Sequence, residues 1–135
     1  MAVFQNTEQV YLCTQALLTA IQEQDPGAAD AILASHMIFR LRTTNPEAEI
    51  IINGRKRPIE VSYGPAGIRP TMDIELTADT LHFILLGQLS LKRTLASGQL
   101  SVRGPIWKAQ ALADLFSQGR DVYPQILGEQ GLAQA

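Results

Sequence analysis

The side chains that could do chemistry are few in this sequence and stand far apart. His36 and His82 are its only histidines, and neither has a second ligand at helical spacing or a cysteine nearby. A zinc site needs several such ligands together, so no metal site is predicted. His82 falls on an otherwise apolar helix, and we expect it at the surface or the core edge rather than as a base. Cys13 lies in an apolar stripe, which favours a buried side chain over a reactive thiol.

The sequence holds no nucleophile motif and no phosphate-binding motif. Gly64-Pro65-Ala66-Gly67 lacks the Lys-Ser/Thr ending of a phosphate loop, and no Gly-x-Ser-x-Gly pattern occurs. An acid–base enzyme would need Asp, His or Tyr side chains that point into a pocket. Strand alternation turns Asp73 and Glu75 away from the core, which leaves Tyr63 without a catalytic partner. A non-catalytic protein is therefore expected, and an α+β enzyme is the least favoured alternative.

Composition and charge restrict the partners, the domain organisation and the compartment expected for this protein. The 135 residues include 11 Lys and Arg against 13 Asp and Glu, a net charge of −2 that argues against a nucleic-acid partner. The length suits one domain with one core. One cysteine allows no internal disulfide and fits a reducing compartment. Because the sequence has neither a leader peptide pattern nor a membrane-spanning apolar run, we expect a cytoplasmic protein.

The elements that must position these residues alternate between helical and strand periodicity. Apolar residues at helical spacing predict helices over 7–23, 28–34, 78–86 and 106–118. Period-two alternation predicts strands over 37–42, 49–52, 59–63, 72–76 and 99–103. This order predicts an α+β fold with a five-stranded, largely antiparallel sheet covered on one face by helices.

Local signals set the ends of several elements. Asn53-Gly54 predicts a tight type I′ hairpin turn, and Thr77 predicts a helix cap. Asp25-Pro26-Gly27 ends the first helix, and residues 88–97 form a link. The single predicted domain thus has N-terminal helices at 6–34, a sheet with helices at 36–118, and a loose tail at 119–135. In that tail, only three residues look able to pack, Tyr123, Ile126 and Leu127.

Two predicted helices have more apolar surface than one buried face requires. In the helix 78–86, one stripe consists of Leu81, Ile84 and Leu85, and a second face holds Phe83 and Leu86. The helix 106–118 has only a thin polar strip, made of Gln110, Asp114 and Ser117. Each large apolar side chain gains about 1.5–3 kcal/mol on leaving water, so both helices need cover on a second side. Other helices, a partner subunit or an apolar ligand in a cavity could provide it.

The segment 72–104 combines an amphipathic strand, the Thr77-capped helix with Asp79, an apolar stretch that closes in Gly87, and the pattern Ser-Gly-x-Leu-x-Val-x-Gly at 97–104. This combination resembles the sterol carrier protein domain. The resemblance extends over about residues 30 to 117.

The chain departs from the family pattern at two places. Pro105 stands where the family often has Asp, and Ser90-Leu91-Lys92 stands where a proline is usual. These departures leave the fold intact and leave the identity of the ligand open.

The resemblance implies a hydrophobic tunnel between the sheet and the helices. It implies non-covalent binding of a fatty acid, fatty acyl-CoA or sterol-like lipid, with no cofactor and no chemistry. The residues assigned to the lining are Phe83, Leu86, Leu89, Leu91, Trp107, Ala111, Leu115 and Phe116. Each of them would serve equally well as an ordinary core residue.

The family arrangement also places the first strand beside the fourth. It therefore predicts that Arg40 and Arg42 face Asp73 and Glu75 on the polar side of the sheet. Opposite charges on neighbouring strands contribute about 0.2–1 kcal/mol per pair.

Two functions from different classes remain open at this point. The first is a lipid-binding or lipid-transfer module. The second is an interaction module that buries the spare apolar helix faces in a homodimer or under another subunit. A basic hairpin tip, Arg55-Lys56-Arg57, is either solvated or in transient contact with an anionic membrane surface.

Overall fold

The computed structural model describes residues 3–25 and 27–131. Within these residues the α-helices are α1 Thr7–Gln24, α2 Asp30–Ser35, α3 Ala78–Leu85, α4 Leu91–Ala96, α5 Gln110–Ser117 and α6 Tyr123–Glu129. The strands are β1 Ile38–Thr44, β2 Ala48–Asn53, β3 Glu60–Tyr63, β4 Met72–Thr77 and β5 Leu100–Arg103. A 3₁₀ turn, Ile106–Ala109, leads directly into α5.

The strands form one sheet in the order β3-β2-β1-β4-β5. β1 and β4 are parallel, and the other three neighbouring pairs are antiparallel. The α+β fold and the placement of the first strand beside the fourth are thus confirmed. Every second residue of these strands points to the helix side of the sheet, and the core residues among them include Phe39, Leu41, Ile50, Ile52 and Ile74.

The opposite face of the sheet carries the predicted charge pairs. Arg40 lies opposite Asp73 and Arg42 opposite Glu75 in the β1–β4 register. The Arg40 guanidinium forms two hydrogen bonds to the Asp73 carboxylate, and Arg42 Nε donates to Asp73 Oδ1 over 3.1 Å. The hydrogen bonds from Arg40 hold the pKa of Asp73 below its ordinary value. The predicted pairing of these strands is therefore confirmed by their side chains as well as by their register.

The hairpin between β2 and β3 does not contain the predicted type I′ turn. Neither Asn53 nor Gly54 adopts the positive φ that this turn requires, and a longer loop over 54–59 joins the strands. Gly54 is instead a site of close backbone approach, because a Cβ there would lie 2.5 Å from the Ile32 carbonyl oxygen. Its amide donates to the Met37 carbonyl over 2.9 Å. The glycine thus lets α2 pack against the end of the sheet.

The first helix follows its predicted pattern. Asn6 caps α1, since its Oδ1 accepts from the Gln9 amide over 2.9 Å. The apolar stripe is buried and consists of Val10, Cys13, Leu17, Leu18 and Ile21. The helix ends before Asp25; Pro26, which belongs to the predicted stop signal, lies outside the described residues. The short second helix begins at Asp30, two residues later than predicted.

Two short helices lie where none was expected. The predicted link 88–97 contains α4, which is capped by Ser90, whose Oγ accepts from the Arg93 amide over 3.1 Å. The expected loose tail 119–135 contains α6, with Tyr123, Ile126 and Leu127 buried and the helix packed against α1. Residues 132–135 of that tail lie outside the described residues. Helices this short depend on caps and tertiary packing, so their sequences show no sustained periodicity.

Candidate functional site

A cavity of about 420 Å³ opens between the β4–β5 edge of the sheet and helices α3, α4 and α5. Its walls combine fully buried apolar residues with half-buried ones. The buried group comprises Ile74, Ile84, Leu100 and Phe116. The half-buried group comprises Leu89, Leu91, Leu95, Val102, Ala109 and Ala113. The volume and the apolar walls are typical of a site for an apolar small molecule.

The rim of the cavity is polar, apart from two apolar side chains. Lys92, Arg120, Gln110 and Asp114 lie around it, together with Ser90 and Ser117. Gln110 Nε2 donates to Asp114 Oδ1 over 2.9 Å. The apolar members are Ile106, which is 47% exposed, and Trp107, which is 79% exposed. Because these rim residues are exposed, the cavity is open to solvent along this side.

Three local features place the walls. Ile74 and Val102 are direct partners in the β4–β5 register, so both point to the helix side of the sheet. Gly104 has φ +125°, and a Cβ on it would lie 2.6 Å from the Thr71 carbonyl oxygen. The chain therefore turns sharply after β5. The Ile106–Ala109 turn then brings Trp107 to the cavity rim.

The structure brings together four of the eight residues assigned to the lining. Leu89, Leu91, Trp107 and Phe116 surround the cavity. The other four lie elsewhere: Leu115 is fully buried, and Leu86 and Ala111 pack on the core. Phe83 packs its ring against His82. Contact between any of these residues and a ligand stays a prediction.

The lining residues that sequence reasoning missed include two main groups, besides single positions on α3, around α4 and on the Ile106–Ala109 turn. One is the core face of β4 and β5, represented by Ile74, Leu100 and Val102. The sequence shows the alternation of these residues, but it does not show which strands form the sheet edge beside a cavity. The other group is the polar strip of α5. Gln110, Asp114 and Ser117 line the cavity rim, while the apolar flanks of the helix are buried.

The comparison with protein families is decisive for classification. Residues 18–117 match the model of the SCP-2 sterol transfer family. The chain belongs to this family. Membership indicates that the protein binds or transfers a lipid, and it leaves the ligand undefined. In the comparison with curated protein sequences, nothing matches.

Solved structures of sterol carrier proteins share the fold. Sterol carrier protein 2 from Yarrowia lipolytica is 17% identical, with a TM-score of 0.61 over 90% of this chain and 99% of that one. Sterol carrier protein domain 2 of Helicoverpa armigera is 18% identical, with a TM-score of 0.62 over 79% and 84%. A ubiquinone synthesis protein, UbiJ-SCP2, is 20% identical, with a TM-score of 0.60 over 78% and 87%. At these identities the likeness concerns the fold alone.

The fold of this family also forms part of a much longer enzyme. The sec-alkylsulfatase Pisa1 from Pseudomonas sp. is 16% identical, with a TM-score of 0.52. The match covers 67% of this chain and 14% of the sulfatase. Catalysis therefore has to be judged from the residues present here rather than from the fold.

A buried polar pair lies deeper in this SCP-2 chain, away from the cavity walls. His82 is fully buried, so the expectation of a surface or core-edge histidine is wrong. Its Nδ1 lies 2.8 Å from the hydroxyl of Tyr123, which is also fully buried. His82 Nε2 has no hydrogen-bond partner among the described residues. Burial lowers the pKa of His82, and the charge of Asp79 opposes this shift.

The cause of this burial is α6, the helix that the sequence did not predict. α6 places Tyr123 over α3 and provides the partner for the imidazole. The rings of Phe4, Phe83 and Tyr123 all lie within 6 Å of the His82 ring, centroid to centroid. This cage favours the neutral imidazole and separates it from solvent.

Other groups with chemical potential are also held in unreactive surroundings. Cys13 is buried as predicted, and desolvation raises the pKa of its thiol to about 11. Burial raises the pKa of the Tyr63 hydroxyl to about 12. Among residues 3–25 and 27–131, no cluster of three or more His, Cys, Asp or Glu side chains is placed to hold a metal ion. In the same residues, no helix has the length and apolar character needed to cross a membrane.

Two of the three basic residues of the hairpin tip make contacts within the protein. Arg55 Nε donates to the His36 carbonyl over 2.9 Å. Lys56 Nζ forms an ion pair with Glu60 Oε2 over 3.0 Å. These contacts leave Arg57 as the tip residue with neither a hydrogen bond nor an ion pair found among the described residues, which makes this tip a weak candidate for membrane contact.

Proposed function

We propose that this protein binds a lipid with one apolar part and carries it without changing it chemically. Such a lipid is a fatty acid, a fatty acyl-CoA or a sterol-like molecule. The observation behind the proposal is the 420 Å³ cavity with apolar walls and a polar, solvent-open rim. An apolar chain inside would be shielded from water by the walls, and a polar head group would remain at the rim. The reducing cytoplasm is the proposed compartment, because the free Cys13 is maintained there.

The non-catalytic part of the proposal rests on which side chains surround the cavity. The lining contains no His, Cys or Tyr among the described residues. Its one carboxylate, Asp114, is exposed and accepts a hydrogen bond from Gln110. A general acid or base in an active site is usually held in a buried position, whereas this carboxylate lies at the exposed rim.

The alternative of an interaction module has less surface available than the sequence predicts. α1, α2 and α6 cover much of the apolar surface within the chain, and Leu112, Leu115 and Phe116 of α5 are buried. Among the described residues, the exposed large apolar side chains are Leu12, Ile106 and Trp107. A homodimer would have to bury this small set, so we treat it as the second hypothesis.

The test of the proposal is displacement of a fluorescent fatty acid from the wild type and from a cavity-filled variant. Ala113 lines the cavity without belonging to the residues that pack on the core. Ala113→Phe should therefore occupy part of the cavity with little cost in stability. We expect the wild type to bind the probe and Ala113→Phe to bind it at least tenfold more weakly.

The matched control is Ala96→Phe. Ala96 is exposed on α4 and does not line the cavity. This variant adds the same ring to the neighbouring surface, so it should bind the probe like the wild type. Equal probe binding by Ala113→Phe and the wild type would place the lipid elsewhere and refute the cavity as the binding site.

A further inference from the structure

The rim of the cavity presents the most exposed aromatic side chain of the described chain. Trp107 is 79% exposed, and its neighbour Ile106 is 47% exposed. Both stand on one short 3₁₀ turn, and both line the cavity. Adjacent exposed apolar side chains of this size favour contact with an apolar phase.

The charge around this turn differs from that of the rest of the protein. Residues 87–120 contain five Lys and Arg against one Asp, a net charge of +4 in a chain whose net charge is −2. The five are Lys92, Arg93, Arg103, Lys108 and Arg120. Every ion pair found in the described residues involves other cations, so none of these five forms an ion pair there.

The position of the basic residues matches that of the exposed apolar pair. Lys92 and Arg120 line the same cavity as Ile106 and Trp107, and Lys108 follows Trp107 directly. The rim carboxylate, Asp114, is outnumbered by these three cations. A tryptophan flanked by lysines is the combination that suits the interface of an anionic lipid bilayer, where the indole lies at head-group level and the cations meet the phosphates.

We propose that this rim, made of Ile106, Trp107, Lys92, Lys108 and Arg120, docks on the surface of an anionic phospholipid bilayer. Docking in this way brings the cavity mouth to the membrane. The turn has only four residues, so the contact is a shallow one at the interface. This inference goes beyond lipid binding, because a ligand could enter the cavity from water without any bilayer.

The experiment is co-sedimentation of the full chain with sucrose-loaded vesicles. One set is pure phosphatidylcholine, and the other contains one third phosphatidylglycerol. We expect binding to the anionic set and much weaker binding to the neutral one. Raising the ionic strength from about 0.1 M to about 1 M shortens the Debye length from about 10 Å to about 3 Å, and it should release most of the protein.

Trp107 provides an independent readout because it is the only tryptophan of the chain. On anionic vesicles its fluorescence should shift to shorter wavelength and become quenched by brominated lipid. Trp107→Ser should lower vesicle affinity about tenfold or more, since it removes the largest apolar contact. The side chain is mostly exposed, so its replacement does not endanger folding.

Two charge reversals form a matched pair. Lys108→Glu changes the net charge by the same amount as Lys56→Glu, but Lys56 lies beside β3, at the opposite edge of the sheet. One basic residue near an anionic membrane corresponds to about fivefold in affinity, so Lys108→Glu should cost about 25-fold. Lys56→Glu should change vesicle affinity by less than twofold.

Several results would overturn the proposal. Failure of the wild type to sediment with anionic vesicles would do so, as would equal binding to both vesicle types. Equal losses for Lys56→Glu and Lys108→Glu would show that docking does not use this rim. The result is separable from the proposed function, because Ala113→Phe should lose fatty-acid binding and retain vesicle binding.

Discussion

The buried imidazole of His82 makes the stability of the protein depend on pH in a defined direction. Burial lowers the pKa of His82 in the folded state, whereas the unfolded chain has the ordinary value of about 6.5. Below about pH 6.5 the unfolded state therefore binds a proton that the folded state resists. Stability contributed by the neutral imidazole is complete above this pH and is lost as the pH falls towards the folded-state pKa.

The magnitude follows from the fact that one group is involved. One proton taken up by the unfolded state lowers the free energy of unfolding by at most about 1.4 kcal/mol for each pH unit. A small domain has a total stability of about 5–15 kcal/mol, so the loss between pH 6.5 and pH 5 is readily measured. Asp73, whose pKa is lowered by Arg40, contributes in a separate window that lies below the ordinary aspartate pKa of 3.8.

The assay is urea unfolding followed by circular dichroism at several pH values between 7.5 and 5. His82→Phe removes the titrating group and should flatten the curve in this interval. Its stability at pH 7.5 should also fall by about 1–3 kcal/mol, because the Tyr123 hydroxyl loses its partner. The slope, rather than the stability at one pH, is therefore the diagnostic quantity.

The chain offers a matched control in its other histidine. His36 is exposed and adopts φ +54° at the end of α2, a conformation that asparagine tolerates. His36→Asn should retain the slope of the wild type, and so should Tyr123→Phe, since the imidazole stays buried. A wild-type slope that persists in His82→Phe, or one that disappears in His36→Asn, would refute this account of the core.

Four further substitutions test the fold by their effect on the free energy of urea unfolding at pH 7. Asp73→Asn should lower this free energy by about 1–3 kcal/mol, because the substitution breaks hydrogen bonds to two guanidinium groups. Glu75→Gln, at an exposed carboxylate, should lower it by less than about 1 kcal/mol. Similar values for both would contradict the assigned ion-pair network. Gly54→Ala should cost about 1–3 kcal/mol, since its Cβ would collide with the Ile32 carbonyl oxygen, and an unchanged midpoint would show that the backbones can separate there. The Thr77 hydroxyl caps α3 by accepting a hydrogen bond from the Thr80 amide, so Thr77→Ala should lower the free energy of unfolding by about 1 kcal/mol. A change within error would show that this cap is dispensable.

The sheet was predictable because its strands carry a periodic signal on both faces. Phe39 and Leu41 alternate with Arg40 and Arg42, and this alternation alone separates the core face from the charged one. The order of the strands required the family resemblance, since alternation does not say which strands are neighbours.

The cavity and the buried histidine were less predictable because they depend on short helices. The sequence around Ser90 shows a cap but no long apolar repeat, and the segment after Gly119 also has no long apolar repeat. Without α6, His82 has no visible partner and looks like a surface residue. Without the packing of α5, its polar strip does not appear as part of a cavity rim. Asn53-Gly54 shows the opposite error, since a strong turn signal was present but the glycine serves a close approach to the Ile32 backbone.

The central claim is tested most directly by a native mass spectrum of the purified protein, taken before and after extraction with organic solvent. The account predicts a monomer with a removable mass of roughly a few hundred daltons, identified as a lipid and absent from Ala113→Phe. A bare chain that also fails to take up added fatty acid would contradict it. A dimer without lipid would likewise contradict it, and would assign the exposed apolar residues to a protein interface.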